Sequence, residues 1–301
     1  MDDRTPPYPI IFQGLTRSRV IPFIGAGASL GQVVDRVAWD KDAASRPPTA
    51  SELTDYLAKQ AMFPKAEPPD LAKVAQYYDA VAAGRVALHH ELHEIFACDY
   101  PLADIHTFLA EIEAPLLIVT TNYDNLIECA FREREKPFDV VVHTTHSEHA
   151  DSVLWWPHEQ EPQYVPPNEF VDIDLDTTTV IYKMHGSVDR QDEFRDSFVI
   201  TEDDYIEFLT RVATRTAIPA VFAEPFQTRH FLFLGYSLGD WNLRVVLNKL
   251  ERDWPRRRGI RSWAVQLHPS ALERQFWQQR GVEIYDMSIR EFVHNLREQS
   301  R

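Results

Sequence analysis

The sequence predicts an α/β protein: a Rossmann-like open parallel sheet of about six strands, with a helical insertion between the first two. Two observations carry this. Six short apolar runs rich in Val, Ile, Phe and Tyr read as strands, and they lack the polar alternation of a half-exposed sheet. Helical patterns lie between several of them, so successive strands require crossover connections. A length of 301 residues with 44% hydrophobic content can fill one large core, read here as a single domain over 1–301.

The strand runs are VIPFI (20–24), LLIVT (116–120), VIYKM (180–184), HFLFL (230–234), SWAVQL (262–267) and VEIYDM (282–287). Helical spacing marks YDNLIECAFRE (123–133), DDYIEFLTRVA (203–213), DWNLRVVLNKLER (240–252) and SALERQFWQQR (270–280). The gap at about 35–112 breaks this rhythm. It holds SELTDYLAKQAMF, DLAKVAQYYDAVAA and RVALHHELHEIF, punctuated by proline-bearing PPT and PKAEPPD, and reads as a lid or small lobe. A second stretch, about 144–178, is acidic and proline-bearing, carries Trp155 and Trp156, and reads as an irregular loop; the tryptophans could seal a cleft or an interface.

Charge narrows the function classes. Lys and Arg number 31 against 46 Asp and Glu, a net charge of −15, which disfavours direct nucleic-acid contact or an anionic membrane surface. The one dense basic run, RRRG at 256–259, reads as a helix end and solvated turn. Cys98 and Cys129 form no CxxC pair, so no four-cysteine zinc site is expected, and both read as buried free thiols. The acidic, proline-bearing start is unlike a signal peptide, and no apolar run would span a bilayer; the expected location is cytoplasmic. His143, His146 and His149, with His158 beyond, have spacing that could suit a metal, but the flanking Thr, Ser and Asp indicate a solvated loop. His89, His90 and His93 read as surface or packing residues of a helix.

In open α/β sheets ligands bind beyond the carboxyl ends of the strands. Four successive strand ends here carry chemistry-bearing residues: GAGAS (25–29), TNYDN (121–125), HGS (185–187) and GYSLGD (235–240). Gly25 and Gly27 either let the backbone approach a phosphate beside a helix N-terminus or merely make a tight turn. The third glycine of a dinucleotide fingerprint is missing, since that position is Leu30. Asn122 offers an amide that both donates and accepts, or else caps the next helix. His185 is a base of ordinary pKa near neutrality, or a structural histidine.

The order GAGAS, TNYD, HGS, GYS resembles the sirtuin-like NAD-binding fold over about residues 18–295. TTNYD (120–124) and ITEDDY (200–205) are similar to the zinc-less, bacterial anti-phage branch of sirtuin-like NAD hydrolases. That resemblance implies cleavage of the nicotinamide–ribose bond of NAD, giving nicotinamide and ADP-ribose, through an oxocarbenium-like transition state. By resemblance, Asn122 positions water or ribose hydroxyls and His185 is the general base. Gly25, Ala26 and Gly27 offer backbone amides to the pyrophosphate, with Ser29 near a phosphate. Asp124 meets the carboxamide or braces the loop, and Gly235 and Ser237 contact the adenosine side. No zinc is implied, and the absence of a CxxC module and of a GIPDFR-type loop disfavours lysine deacylation. Control by a homo-oligomer or a separate protein (helicase-like ATPase, Argonaute-like or sensor protein) is implied too.

Two rivals stand beside this. GYSLG also fits a G-x-S-x-G nucleophile elbow, with Ser237 as nucleophile, Asp286, and His268 or His294. That reading leaves the other three motifs unexplained. Alternatively the fold binds NAD or ADP-ribose as a sensor and turns nothing over.

Overall fold

The computed structural model describes residues 5–30, 39–168, 173–214, 216–236, 245, 247–248 and 259–299. Its centre is a nine-stranded sheet. The strands are β1 (Val20–Ile24), β2 (Leu117–Thr120), β3 (Phe138–His143), β4 (Val153–Trp156), β5 (Gln163–Val165), β6 (Thr179–Lys183), β9 (His230–Leu234), β10 (Ser262–Gln266) and β11 (Val282–Asp286). A separate two-residue hairpin pairs β7 (Gly186–Ser187) with β8 (Ser197–Phe198). The sheet order is β11-β10-β9-β1-β2-β6-β3-β4-β5. The six strands read from the sequence form its β11-to-β6 portion, and every neighbouring pair among them is parallel.

The sheet extends past the predicted six. β3 joins β6 in parallel, and β4 and β5 continue it antiparallel. The irregular stretch at 144–178 therefore contains two strands. Short edge strands with three or four residues leave too little alternation to be seen in sequence. His143 is the last residue of β3 and 1% exposed, so it belongs to the sheet and not to a solvated loop. His149 stacks on Tyr164, while Trp155 donates its Nε1–H to Asp139 at 3.0 Å. Cys98 is exposed and Cys129 half-buried, against the expectation of buried thiols.

The helices are α1 (Tyr8–Thr16), α2 (Ala50–Gln60), α3 (Leu71–Tyr77), α4 (Arg85–Phe96), α5 (Asp104–Glu111), α6 (Leu126–Glu133), α7 (Glu202–Ala213), α8 (Ala223–Thr228), α9 (Ala271–Gln278) and α10 (Ile289–Glu298). Strand side chains alternate between two cores. Val20, Ile24, Ile118, Leu232 and Leu234 pack with α1, α5, α6 and α10, whereas Ile21, Phe23, Val119, Phe231 and Phe233 pack with α7, α8 and α9. Both faces are thus covered, which is why the strands read as continuous apolar runs. α2, α3 and α4 form a third cluster, around Leu57, Val74, Leu92 and Ile95, which also takes in Tyr123 and Phe198. α5, the last helix of the predicted insertion, instead lies on the sheet. Most of the helix predicted over 240–252, and nearly all of the basic run at 256–259, fall outside the described residues.

Local signals set the ends of the elements. α2 starts at a capping box in which Thr49 accepts from the Glu52 N–H and Glu52 accepts from the Thr49 N–H. Thr201 and Asp204 do the same for α7, and Ser270 and Glu273 for α9. No described helix is long and apolar enough to cross a membrane.

Candidate functional site

The chain runs from β1 out to one side of the sheet through β2, β3 and β6, then returns to β9 on the other side of β1. The β1–β9 junction is therefore a topological switch point, the place where such sheets open a crevice. The four motifs sit at the carboxyl ends of β9, β1, β2 and β6, which are consecutive in the sheet. One cavity of about 550 Å³ is lined by Gly25, Ala26, Gly27, Asn122, Asp124, His185 and Gly235. Its opposite wall comes from the helical lobe, at the starts of α2 (Thr49, Ala50, Ser51) and α3 (Asp70, Leu71).

The glycines answer to backbone packing. Gly25 N–H donates to Leu234 O at 3.0 Å, and Gly27 N–H to Gly235 O at 2.9 Å. A Cβ on Gly25 would lie 2.7 Å from Gly235 O, and one on Gly27 would lie 2.9 Å from the same atom. Gly235 itself has φ +68°, and a Cβ there would lie 2.1 Å from Ala28 N. Two loops thus press backbone on backbone, which only glycine permits. This changes the expectation for the amides. Those of Gly25 and Gly27 are already engaged within the protein, so they are not open for a phosphate. The segment after Gly25 is one short 3-10 helix, Ala26–Leu30.

Asn122 is buried and reaches back to this junction. Its Nδ2 donates to Gly25 O and to Ser29 Oγ, both at 3.3 Å. Because Gly25 O can only accept, the nitrogen must face it, which fixes the amide orientation. Its backbone N–H donates to Thr120 Oγ1 at 3.0 Å. Ser29 is 3% exposed and lies behind the cavity wall, where its hydroxyl also hydrogen-bonds Asp124. Asp124 accepts from the Leu126 N–H at 3.1 Å, starting α6, and burial pushes its carboxyl pKa up, with Lys183 opposing. Ser237 lies outside the described residues.

His185 follows β6 and meets Tyr205 and Phe208 edge-on, each at 5.4 Å between ring centres. Burial pushes its pKa down to about 3, so the ring is neutral, and its expected pKa near neutrality is corrected accordingly. Desolvation is the cause, with the rings of Tyr205 and Phe208 against the imidazole and no ion pair to a carboxylate among the described residues.

Two residues escaped the sequence reading. Lys183, on β6, is 0% exposed, and its Nζ lies 2.9 Å from Glu128 Oε1 in the first turn of α6. The one visible signal was a charge inside an otherwise apolar strand. Tyr205 was noted only as part of ITEDDY, yet it lines the cavity, as do Phe96 and Tyr236. Tertiary packing alone assembles these. Among the described residues, no group of three or more His, Cys, Asp or Glu side chains is gathered to hold a metal ion. Two of the partners proposed for a Ser237 elbow, Asp286 and His294, do not line this cavity. Asp286 and His294 line other depressions, and Asp286 pairs with Arg274 at 3.1 Å.

A family model described as a SIR2-like domain matches residues 116–285, more than half of the chain. The chain belongs to the SIR2-like family. The NAD(+) hydrolase ThsA of Enterococcus faecium is 29% identical over 243 residues, which covers 79% of this chain and 41% of that protein. Defense-associated sirtuin 2 of Bacillus subtilis is 26% identical over 214 residues, 67% of this chain and 17% of that protein. The NAD(+) hydrolase ThsA of Bacillus cereus (strain MSX-D12) is 26% identical over 234 residues, 77% of this chain and 40% of its own length. This SIR2-like chain spans well under half the length of these relatives. The matched segment includes β2, β6 and β9, and therefore three of the four motif-bearing strand ends.

Proposed function

We propose that this SIR2-like domain hydrolyses NAD at the nicotinamide–ribose bond, releasing nicotinamide and ADP-ribose. The observation that carries the reading is that Asn122 and His185, from different strands, line one cavity beside the β1–β9 switch point. The names of these relatives, NAD(+) hydrolase and defense-associated sirtuin, support the same reaction and a role in defence, which we read as anti-phage defence by NAD depletion.

The chemistry suits the residues. Nicotinamide leaves a cationic ring as a neutral molecule, so no general acid is required. The ribose is left as an oxocarbenium-like centre that water attacks. Water bonded to that centre is strongly acidic, so a neutral imidazole of low basicity is base enough to take its proton. The amide of Asn122, held by Gly25 and Ser29, orients that water or the ribose hydroxyls. Asp124 faces the carboxamide or braces the loop. The GAG loop and Gly235 form the wall on which the pyrophosphate lies, Ala26 being the residue of the loop whose amide is not tied to β9. An unrestrained hydrolase of this kind would drain its own cell. We therefore include control by self-assembly or by a separate partner protein in the proposal.

The test is nicotinamide release from NAD by the purified protein, over a range of protein concentrations. Asn122→Ala and His185→Ala are each expected to lower turnover by about 100-fold or more. Binding of NAD without release at any concentration would make the domain a sensor, and absence of binding would end the reading.

A further inference from the structure

We infer that the buried Lys183–Glu128 pair is a positioning element of this site, fixing the loop that carries Asn122 against the strand that leads into His185. The inference rests on the reading of the cavity given above. Lys183 Nζ has three acceptors: Glu128 Oε1 at 2.9 Å, Tyr123 O at 3.4 Å and Asp124 O. An ammonium has three hydrogens, so this set uses all of them and leaves the side chain one arrangement. Tyr123 and Asp124 are one and two residues from Asn122, and Lys183 is two residues from His185. The ammonium therefore joins three elements, β6, the 121–125 loop and α6, within two residues along the chain of both candidate catalytic side chains.

Stability alone does not account for the pair. Desolvating two charges is costly, and an apolar pair of similar volume commonly serves a fold as well or better. The arrangement is not even optimised as an ion pair, since Glu128 Oε2 is buried with no hydrogen-bond partner among the described residues. What the ammonium provides, and a methionine could not, is a donor for two backbone carbonyls of the catalytic loop. Other contacts hold that loop to its neighbours one at a time: Val188 N–H donates to Tyr123 O at 3.0 Å, Tyr123 Oη donates to Val199 O at 2.8 Å, and on the β1 side Thr121 N–H donates to Ile24 O at 3.2 Å and Asn122 Nδ2 to Gly25 O at 3.3 Å, whereas the ammonium ties the loop to β6 and α6 together. Displacing a catalytic group by about 1 Å can cost about 100-fold in rate.

The decisive comparison is the apolar double variant Lys183→Met/Glu128→Leu against wild type and Glu128→Gln, in the full chain. The double variant is expected to fold, to bind NAD within about threefold of wild type, and to lose about 100-fold in kcat. Glu128→Gln keeps an acceptor for the ammonium and is expected to stay within about tenfold of wild-type kcat. Amide hydrogen exchange of residues 121–126 supplies a readout independent of turnover. Their protection should fall about tenfold in the double variant and remain in Glu128→Gln, with α10 unchanged in both. Unchanged loop protection, or wild-type kcat in a folded double variant, overturns the inference. Should the double variant not fold, the same exchange measurement on Glu128→Leu against Glu128→Gln decides, and equal protection in the two overturns it. If wild type itself releases no nicotinamide, the hydrolase reading fails while loop exchange still judges the pair.

Discussion

The two halves of the site are held by different physics. At the ends of β1 and β9, the 25–28 and 235–236 loops touch backbone to backbone, with glycines removing every side chain that would intervene. At the ends of β2 and β6, the 121–125 loop is held by a buried ammonium and carboxylate. The first junction is steric and insensitive to solvent conditions. The second is electrostatic and depends on exclusion of water. Asn122 bridges them, since it sits on the charged junction and donates to Gly25 on the steric one. A site built this way has one wall that cannot move and one whose position is set by a few hydrogen bonds.

That contrast can be broken most directly at Gly235. An alanine there would adopt φ +68° and press its Cβ to 2.1 Å from Ala28 N, a backbone atom that no rotamer change can clear. Gly235→Ala is expected to cost about 4 kcal/mol or more in denaturant unfolding. A loss under about 1 kcal/mol would mean that the loops part freely and that the steric wall is not rigid.

The β6 side should respond to acid through His185, where the glycine side does not. The pKa of His185 is held at about 3 by burial, whereas an unfolded chain leaves it near 6.5. Between these values the unfolded state binds the extra proton. The stability from keeping this ring neutral is therefore complete above pH 6.5 and lost as pH falls towards 3, at about 1.4 kcal/mol per pH unit. His185→Gln should flatten the acid limb of the unfolding free energy by that slope. An unaltered slope would show that the folded ring is already charged, and the packing around it would have to be redrawn.

The smallest effect sharpens the steric half of the comparison. Gly84, before α4, also has a positive φ, +87°, but a Cβ there meets nothing within 4 Å. Gly84→Ala should therefore cost only the backbone strain, about 1 kcal/mol in the same unfolding measurement. A cost as large as that of Gly235→Ala would assign both effects to φ and remove close packing from the account.

Much of this was legible in the residues. The six apolar runs became six neighbouring parallel strands because strands covered on both faces cannot carry polar residues, and that constraint leaves a mark in composition. The motif order placed Gly25, Asn122, His185 and Gly235 together, since strand ends on one sheet edge converge whatever lies between them. β3, β4 and β5 were less legible. β4 and β5 are short, and Phe138–His143 follows its helix closely enough to hide in the helix end.

By itself the sequence determined the parallel sheet, the motifs at its edge and the family they point to, because apolar runs and glycine-rich turns are local consequences of local sterics. Only the tertiary structure decided what those residues do next to one another. It turned the glycines towards each other, lowered the pKa of His185 by burying it against aromatic rings, and buried Lys183 against Glu128 and the 121–125 loop. Each of these depends on which atoms exclude water from which others, and that is a property of the packed chain alone.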